Sequence, residues 1–301
     1  METLEPCQLF ELREPALGWT GHLAFVRSER LPCEQVVAAW ALDGLAREEK
    51  VVYARDGGEG DSSEAFLELL GDHGPAAGSA ISEGRLHVVP IEEVYRPGGS
   101  EQLVGRALAE GFTAVRVSAD LGAAVELLGK SRLARVEQGL EQLCRHGPMS
   151  SLCRVAESTC ATEPGLLAAH ADGICACSLA VVPVAGGARV AGEVDLANED
   201  LFATVLGELA ASSELATSSE LAASSELAAS GEAASGGGTL RLDLQRLRFL
   251  SVGGARALVQ ATDACRRDGR RVILSGLAPV VRRVLTVCGF EGLFELEDAR
   301  G

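Results

Sequence analysis

The chain has 301 residues, of which 47% are hydrophobic and 23% are charged, and its formal net charge is −16. This length is sufficient for two domains that each bury a core. The negative charge argues against direct nucleic-acid binding, because phosphate contacts need a basic surface. No run approaches the roughly 18 to 20 apolar residues that cross a bilayer, and Met1 leads into acidic sequence without a basic leader region. We therefore expect a soluble, cytoplasmic protein without membrane contact.

The first part of the chain alternates apolar runs with amphipathic segments. Four strands are predicted at HLAFV, KVVYA, RLHVVPI and AVRVSAD, which begin at His22, Lys50, Arg85 and Ala114. Helices are predicted over 33–47, 62–74, 101–112 and 133–147. Such β–α alternation favours a mostly parallel sheet that is covered by helices. We therefore assign residues 19–173 to a first α/β domain.

Several phrases in this region resemble the MEDS sensory domain of methanogen and methylotroph regulators. They are the strand that opens at His22, AWALDGLAREEKVVYARD, VVPIEEVYRPGG (Val88 to Gly99) and GFTAVRVSAD. The last phrase matches the R-x-T/S-G-D pattern of the family, except that Ala119 replaces the glycine. SLCRV and His170 resemble its late cysteine and histidine segment. The resemblance implies a degenerate RecA-like fold with a sensory role.

An active RecA-type NTPase needs a glycine-rich loop whose N–H groups surround the phosphates, and a lysine that reaches them. The sequence HLAFVRSERLP, which starts at His22, contains neither. A later segment, AVELLGKS (Ala124 to Ser131), fits the G-x₄-G-K-S pattern except that Ala124 replaces the first glycine. Its alanines and leucines favour a helix over an open loop. We therefore expect neither ATP binding nor catalysis.

Five polar residues of this domain lie near predicted strand ends, where open α/β sheets place ligands. They are His22, Tyr95, Arg96, Arg116 and Asp120. One interpretation is a pocket that senses a small molecule or a partner. In the alternative, His22 is a satisfied core histidine and Arg116 forms a structural ion pair with Asp120. Both interpretations remain open from the sequence.

The chain has nine cysteines, an odd number, and a cytosolic setting disfavours disulfides. Five of them lie close together in sequence, with His146 and His170 among them: Cys144, Cys153, Cys160, Cys175 and Cys177. They contain no C-x₂-C pair, the spacing typical of a structural zinc site. We expect buried thiols and neither metal nor cofactor, with a metal or redox site as the alternative.

The second part of the chain contains a six-residue repeat. ELAASS (Glu208 to Ser213) is followed by ELATSS, ELAASS and ELAASG, and the segment ends in GEAASGGG (Gly231 to Gly238). A period of six matches neither the helical repeat nor the heptad, so its leucines do not form one seam. We expect residues 208–238 to be a flexible, solvated insert, and limited proteolysis to cut first within Ser212 to Gly238. A docking helix is the alternative.

The segments on either side of this insert form a second pattern. VAGEVDLAN (Val190 to Asn198) precedes the repeat, and after it Leu240, Leu242 and Leu244 alternate with polar residues as in a half-buried strand. Two glycines are expected to break the chain at 253–254. A helix over 257–265 and a strand over 272–274 follow. This order resembles the STAS domain of sulphate transporters and anti-sigma-factor antagonists, which we assign to residues 174–298.

In anti-sigma antagonists the turn after the central strand has the form D-S-S-G, and a kinase phosphorylates its second serine. Here Ser251 aligns with the aspartate, Val252 with the first serine and Gly253 with the phosphoacceptor, while Gly254 keeps the glycine. The usual phosphosite is therefore missing. Ser251 either caps the following helix or accepts phosphate at a shifted position.

The resemblance implies a partner-binding surface formed by the loop after VAGEV and by this turn. Its residues would be Asp195, Asn198, Ser251, Val252, Gly253 and Gly254. The implied partner is an anti-sigma factor or a related ATPase-type serine kinase.

The sequence thus predicts a degenerate RecA-like parallel-sheet domain followed by a STAS α/β domain with a low-complexity insert. The predicted function is that of a non-enzymatic bacterial signalling regulator of the partner-switching type, with an N-terminal sensory domain. The alternative is a small-molecule sensor in which the STAS domain mediates assembly only. Homo-oligomer formation is left open.

Overall fold

The structure of the protein is a computed structural model. The structure describes residues 20–27, 34–55, 63–72, 76–162, 165–170, 172–176, 178–223 and 238–297. Two compact units divide the chain, Met1–Cys177 and Ser178–Gly301.

The first unit contains six strands that alternate with helices. The strands are β1 (His22–Arg27), β2 (Lys50–Arg55), β3 (Leu86–Pro90), β4 (Val115–Asp120), β5 (Met149–Ala156) and β6 (Gly173–Cys175). The helices are α1 (Glu34–Ala46), α2 (Ser63–Asp72), α3 (Ala76–Ser82), α4 (Ile91–Tyr95), α5 (Gly99–Ala109), α6 (Leu121–Leu128), α7 (Lys130–His146) and α8 (Glu157–Thr162), and a 3-10 helix spans Leu167–Ala169.

These strands lie in the order β6-β1-β5-β4-β2-β3. All the pairings described within this set are parallel, which confirms the mostly parallel sheet. The core under α1 and α2 is aromatic: Trp40 is buried, and the rings of Tyr53 and Phe66 stack with their centroids 4.2 Å apart. Because helical connections join parallel strands, the amphipathic segments found in the sequence cover this sheet.

Two strands of this unit, β5 and β6, were not predicted from the sequence. β5 lies between β1 and β4 and is buried along seven of its eight residues. A strand buried on both faces shows no alternation, and the polar Ser150, Ser151 and Arg154 conceal its apolar character. The short β6 pairs with β1, so that Ile174 belongs to the first unit and not to the second.

The segment that imitates a phosphate loop is helical, as predicted. Ala124 to Leu128 belong to α6, and α7 begins at Lys130. Gly129 between them has φ 72°, a conformation that favours glycine. A phosphate loop follows a strand and opens into a helix. Here a helix precedes the lysine instead.

The second unit has five strands. They are β7 (Leu179–Val184), β8 (Gly187–Val194), β9 (Thr239–Leu250), β10 (Arg271–Ser275) and β11 (Glu295–Glu297). The helices are α9 (Glu199–Ala223), α10 (Val252–Ala261), α11 (Asp263–Arg267) and α12 (Pro279–Val287), and a 3-10 helix spans Glu291–Leu293. The strand order is β7-β8-β9-β10-β11, with β7 and β8 antiparallel and the other pairs parallel.

The predicted strand–helix–strand order after the repeat is confirmed by β9, α10 and β10. Leu240, Leu242 and Leu244 are buried along β9, as their alternation indicates. The expected break at the two glycines is wrong, because both lie in the first turn of α10. A Cβ on Gly254 would lie 2.6 Å from Cγ1 of Val194, so the glycine lets α10 pack closely on the strands.

The predicted insert begins inside α9. Ala210 is buried, and Nη1 of Arg270 donates to its carbonyl at 3.1 Å, which ties this turn of the helix to the unit. The backbone remains helical to Ala223, because Ala, Glu and Leu favour helix more strongly than Ser opposes it. Residues 224–237 lie outside the described part of the chain. Among the described helices, none combines the length and hydropathy that crossing a membrane requires.

Candidate functional site

The loop that follows β8 is organised by its own side chains. Oδ1 of Asp195 accepts from the Ala197 N–H at 2.9 Å, and Oδ1 of Asn198 accepts from the Asp195 N–H at 3.0 Å. Nδ2 of Asn198 donates to Oγ of Ser178 and to the Glu193 carbonyl, both at 2.9 Å. Asn198 is only 6% exposed. Its role in the structure is therefore to shape the loop, and its side chain is not displayed on the surface.

This loop and the start of α10 lie side by side. Strands β8 and β9 are parallel neighbours, with Val194 opposite Leu250, and the Ser251 N–H donates to the Val194 carbonyl at 2.8 Å. Two apolar side chains at the carboxyl ends of these strands are exposed: Leu196 is 74% exposed and Val252 is 50% exposed. Exposed apolar groups that are adjacent in the fold are typical of interaction surfaces.

Ser251 caps α10. Its Oγ accepts from the Gly254 N–H at 2.9 Å, and the hydroxyl donates to Oε2 of Glu199 at 3.4 Å. The Glu199 carboxylate also lies against Gly253, where an added Cβ would be 1.8 Å from Oε2. A negative charge near a helix N-terminus is favourable, because the free N–H groups there carry partial positive charge.

The residues predicted for the second unit's surface therefore have different roles. Val252 is exposed, Asp195 and Ser251 are half-buried, and Asn198 and Gly254 are buried. Sequence reasoning missed Leu196 and Glu199. An exposed leucine two residues after a strand carries no distinctive pattern, and the position of the glutamate follows only from the packing of α9.

Arg116 does not pair with Asp120, contrary to the structural alternative considered from the sequence. Arg116 lies at the amino end of β4, is fully buried, and binds the carboxylates of Asp43, at 2.7 Å, and Glu49. Asp120 ends the same strand and pairs with Arg27. The two residues therefore lie at opposite ends of β4.

Asp120 also caps α6, since its Oδ1 accepts from the Ala123 N–H at 3.0 Å. Arg96 is exposed and donates to Gln102 at 2.8 Å. The structure consequently does not bring Arg96, Arg116 and Asp120 into one hydrogen-bonded group.

His22 and Tyr95 are brought together by a residue that the sequence did not indicate, Glu137 of α7. Nε2 of His22 lies 3.1 Å from Oε2 of Glu137, and the Tyr95 hydroxyl donates to Oε1 at 3.2 Å. Cys153 and His170 complete this group, whose four donor atoms from histidine, glutamate and cysteine all lie within 4.8 Å of one another. We call His22, Glu137, Cys153 and His170 the buried tetrad.

The tetrad is a strongly coupled polar group inside the first unit. Burial alone would lower the pKa of His22, but Cys153 and Glu137 beside it raise that pKa to about 11. Burial would raise the pKa of Glu137, whereas the hydrogen bond from His22 and the charge of His170 lower it. Burial and the neighbouring charge of His22 lower the pKa of His170 to about 4.

A signal for this group was present in the sequence, because Cys153 and His170 lie in the cysteine–histidine segment. Burial of Cys153 was also expected, and the side chain is 0% exposed. The acidic member could not be recognised, since Glu137 is one of two glutamates on an amphipathic helix and no pattern in the sequence distinguishes it from Glu141. Cys177 lies outside the described residues.

Comparisons with known proteins assign a family to each unit. Residues 22–161 match the family model of MEDS, the methanogen/methylotroph DcmR sensory domain, and residues 180–301 match that of the STAS domain. A solved structure titled as the anti-sigma factor antagonist SpoIIAA in its unphosphorylated form is 16% identical, with a TM-score of 0.29. The match covers 41% of this chain and 89% of that one. No curated protein matches the chain. By its two family matches, the chain joins an N-terminal MEDS domain to a C-terminal STAS domain.

Proposed function

We propose that this protein is a non-enzymatic regulator of the partner-switching type. Its STAS domain would bind an anti-sigma factor or a related ATPase-type serine kinase, and its MEDS domain would provide the sensory input. The two family matches support a regulatory class, since neither domain type is catalytic.

The observation that carries the binding proposal is the exposed apolar pair at the β8–β9 edge. Leu196 lies two residues after the end of β8 and Val252 two residues after the end of β9, and both side chains are exposed. Acidic residues flank them, because Glu199 and Asp200 open α9 directly behind the loop. We infer that the partner offers an apolar patch with a basic rim, which fits the charge and hydropathy of this surface.

Binding at this surface would not be controlled by phosphorylation at position 253. Gly253 has no hydroxyl, and the Glu199 carboxylate lies beside it at the N-terminus of α10. A fixed negative charge therefore already lies next to the position that the resemblance assigns to the phosphoacceptor. The partner would have to bind in the presence of that carboxylate, and a second anion in the same turn would be desolvated without a cation to pair with.

The test begins with affinity capture from a native lysate, followed by a binding titration of the recovered partner. Gly253→Asp should weaken binding by roughly 1–3 kcal/mol, the usual size of an unpaired polar group at an interface. Gly253→Ala is the matched control, because its Cβ displaces the Glu199 carboxylate without adding charge. Ser251→Ala should bind almost normally.

Three results would each contradict a part of the proposal. A folded Gly253→Asp protein that binds the partner at full strength would exclude this turn from the interface. A Gly253→Asp protein that loses self-association, with no partner recovered by the wild type, would instead favour a STAS domain that mediates assembly only. Stoichiometric phosphate on Ser251 in cells would show that phosphate control is retained at a shifted position.

A further inference from the structure

The four members of the tetrad come from distant parts of the chain. His22 opens β1, Glu137 lies on α7, Cys153 lies in β5 and His170 follows the 3-10 helix. In the sheet register His22 is opposite Ser151, so Cys153, two residues further, is on the same face as the histidine. All four side chains are at most 2% exposed.

Four of the six distances between their donor atoms lie close to those within a tetrahedral metal site, and all six are within 4.8 Å. Oε2 of Glu137 lies 3.1 Å from Nε2 of His22, 3.5 Å from Nε2 of His170 and 3.8 Å from Sγ of Cys153. Sγ of Cys153 lies 3.4 Å from Nε2 of His22. Ligands at zinc bond lengths of about 2.0–2.3 Å form a tetrahedron with edges of about 3.3–3.8 Å.

His170 gives an independent indication of a ligand. It is 1% exposed, and its ring nitrogens make no hydrogen bond of normal geometry among the described residues, although backbone groups of Leu166 and Leu167 lie near the ring. Its ring lies beside that of His22, with centroids 4.3 Å apart, and its Nε2 is directed toward Glu137. Leaving a polar group buried without a partner is costly, so such groups in folded proteins usually have one.

The surrounding contacts orient the tetrad in the way that outer-shell groups orient metal ligands. Nδ1 of His22 lies 3.1 Å from the Ala169 carbonyl and 3.2 Å from Oε2 of Glu141. These acceptors hold a proton on Nδ1, so that Nε2 is the ring nitrogen that faces the other three donors. Tyr95 donates to Oε1 of Glu137, which leaves Oε2 as the atom that faces the cluster.

We propose that His22, Glu137, Cys153 and His170 bind one divalent transition-metal ion of the zinc class. Two imidazoles, one thiolate and one carboxylate form a mixed donor set that suits Zn²⁺ and its tetrahedral geometry. Thiolate and carboxylate each carry one negative charge, so a divalent ion makes the buried site neutral. Binding releases the proton of the Cys153 thiol and any proton on Nε2 of His22, which makes affinity rise with pH.

The rival structure is a metal-free ion pair between His22 and Glu137. It explains the short contact between these two side chains, but it leaves Nε2 of His170, 3.5 Å from Oε2 of Glu137, without a hydrogen bond of normal geometry. The metal site gives a partner to every donor atom of the tetrad. Because four protein ligands complete the coordination, we infer a closed site of the structural type.

The experiment uses the full-length protein and two probes, Zn²⁺ and Co²⁺. Elemental analysis of purified protein should find one equivalent of a transition metal. After removal by a chelator, one equivalent of Co²⁺ should restore a sulfur-to-cobalt charge-transfer band and the intense visible bands of four-coordinate cobalt. Cys153→Ser should remove the charge-transfer band, and His170→Gln should keep it while lowering affinity by at least roughly tenfold.

Matched controls are Cys144→Ser and His146→Gln, which alter a nearby cysteine and an exposed histidine outside the tetrad. Both should bind Co²⁺ as the wild type does. A folded wild-type protein that takes up no Co²⁺, or uptake unchanged by Cys153→Ser and His170→Gln, would overturn the proposal. If these variants do not fold, X-ray absorption at the zinc edge of the zinc-loaded wild type tests the site instead. One sulfur ligand together with nitrogen and oxygen ligands would support the site, and the absence of a sulfur ligand would overturn it. None of these results depends on the partner of the STAS domain.

Discussion

The loop after β8 provides a direct test of whether Asn198 supports the fold or contacts a partner. Asn198→Ala removes three hydrogen bonds, one from the Asp195 N–H and two that the amide donates to Ser178 and the Glu193 carbonyl. Each such bond contributes about 1 kcal/mol net, and a buried group left without a partner costs more. Asp195 is half-buried, so water can hydrogen-bond to its N–H group and offset part of the lost stability. We expect a destabilisation of about 2–3 kcal/mol.

Hydrogen exchange measured by mass spectrometry in the full-length protein can follow this change locally. Peptides from β8 and β9 should exchange roughly 30- to 150-fold faster in Asn198→Ala, since 1.4 kcal/mol corresponds to a factor of ten. Peptides from β1 to β4 of the MEDS domain should not change.

Leu196→Ala is the matched control in the same loop. Its side chain is 74% exposed, so stability should change by no more than about 0.5 kcal/mol, while partner binding should weaken. An Asn198→Ala protein that exchanges within about threefold of the wild type and yet loses the partner would contradict a structural role for Asn198. Asn198 would then be the contact residue that the family resemblance implies.

Two further predictions concern packing in each domain. Arg116→Met should destabilise the MEDS domain by roughly 3–5 kcal/mol in urea unfolding followed by tryptophan fluorescence, because it leaves the Asp43 and Glu49 carboxylates without their buried cation. The exposed Arg96→Met should change stability by no more than about 0.5 kcal/mol, and equal effects of the two would contradict a structural role for Arg116. Gly254→Ala should lower the free energy of unfolding by about 1–3 kcal/mol, because the new methyl group pushes the side chains of Val194 and Leu250 away from α10. Gly253→Ala should be nearly neutral, because only the flexible end of Glu199 must move. Exchange rates of α10 peptides that respond equally to both alanines would disprove this distinction.

Elements whose pattern is local could be predicted from the sequence alone. Such patterns include the alternation in β9, the four apolar runs of the first domain and the amphipathic helices between them. Each pattern specifies structure over a few residues, and the corresponding strands and helices are present in the structure. The family phrases were local as well, which is why both domains could be recognised. The helix cap formed by Ser251 is also a local feature, since its Oγ accepts a hydrogen bond from a backbone N–H only three residues away.

Features that join distant segments became evident from the three-dimensional packing. The central strand β5 has no alternation because it is buried on both faces, and its position became evident only from its pairing with β1 and β4. The carboxylate beside Gly253 comes from α9, far away along the chain. Glu137 likewise meets His22, Cys153 and His170 only because α7 packs across the β1 and β5 face. Such contacts depend on how elements pack, and the spacing of residues within one element carries no information about its neighbours in space.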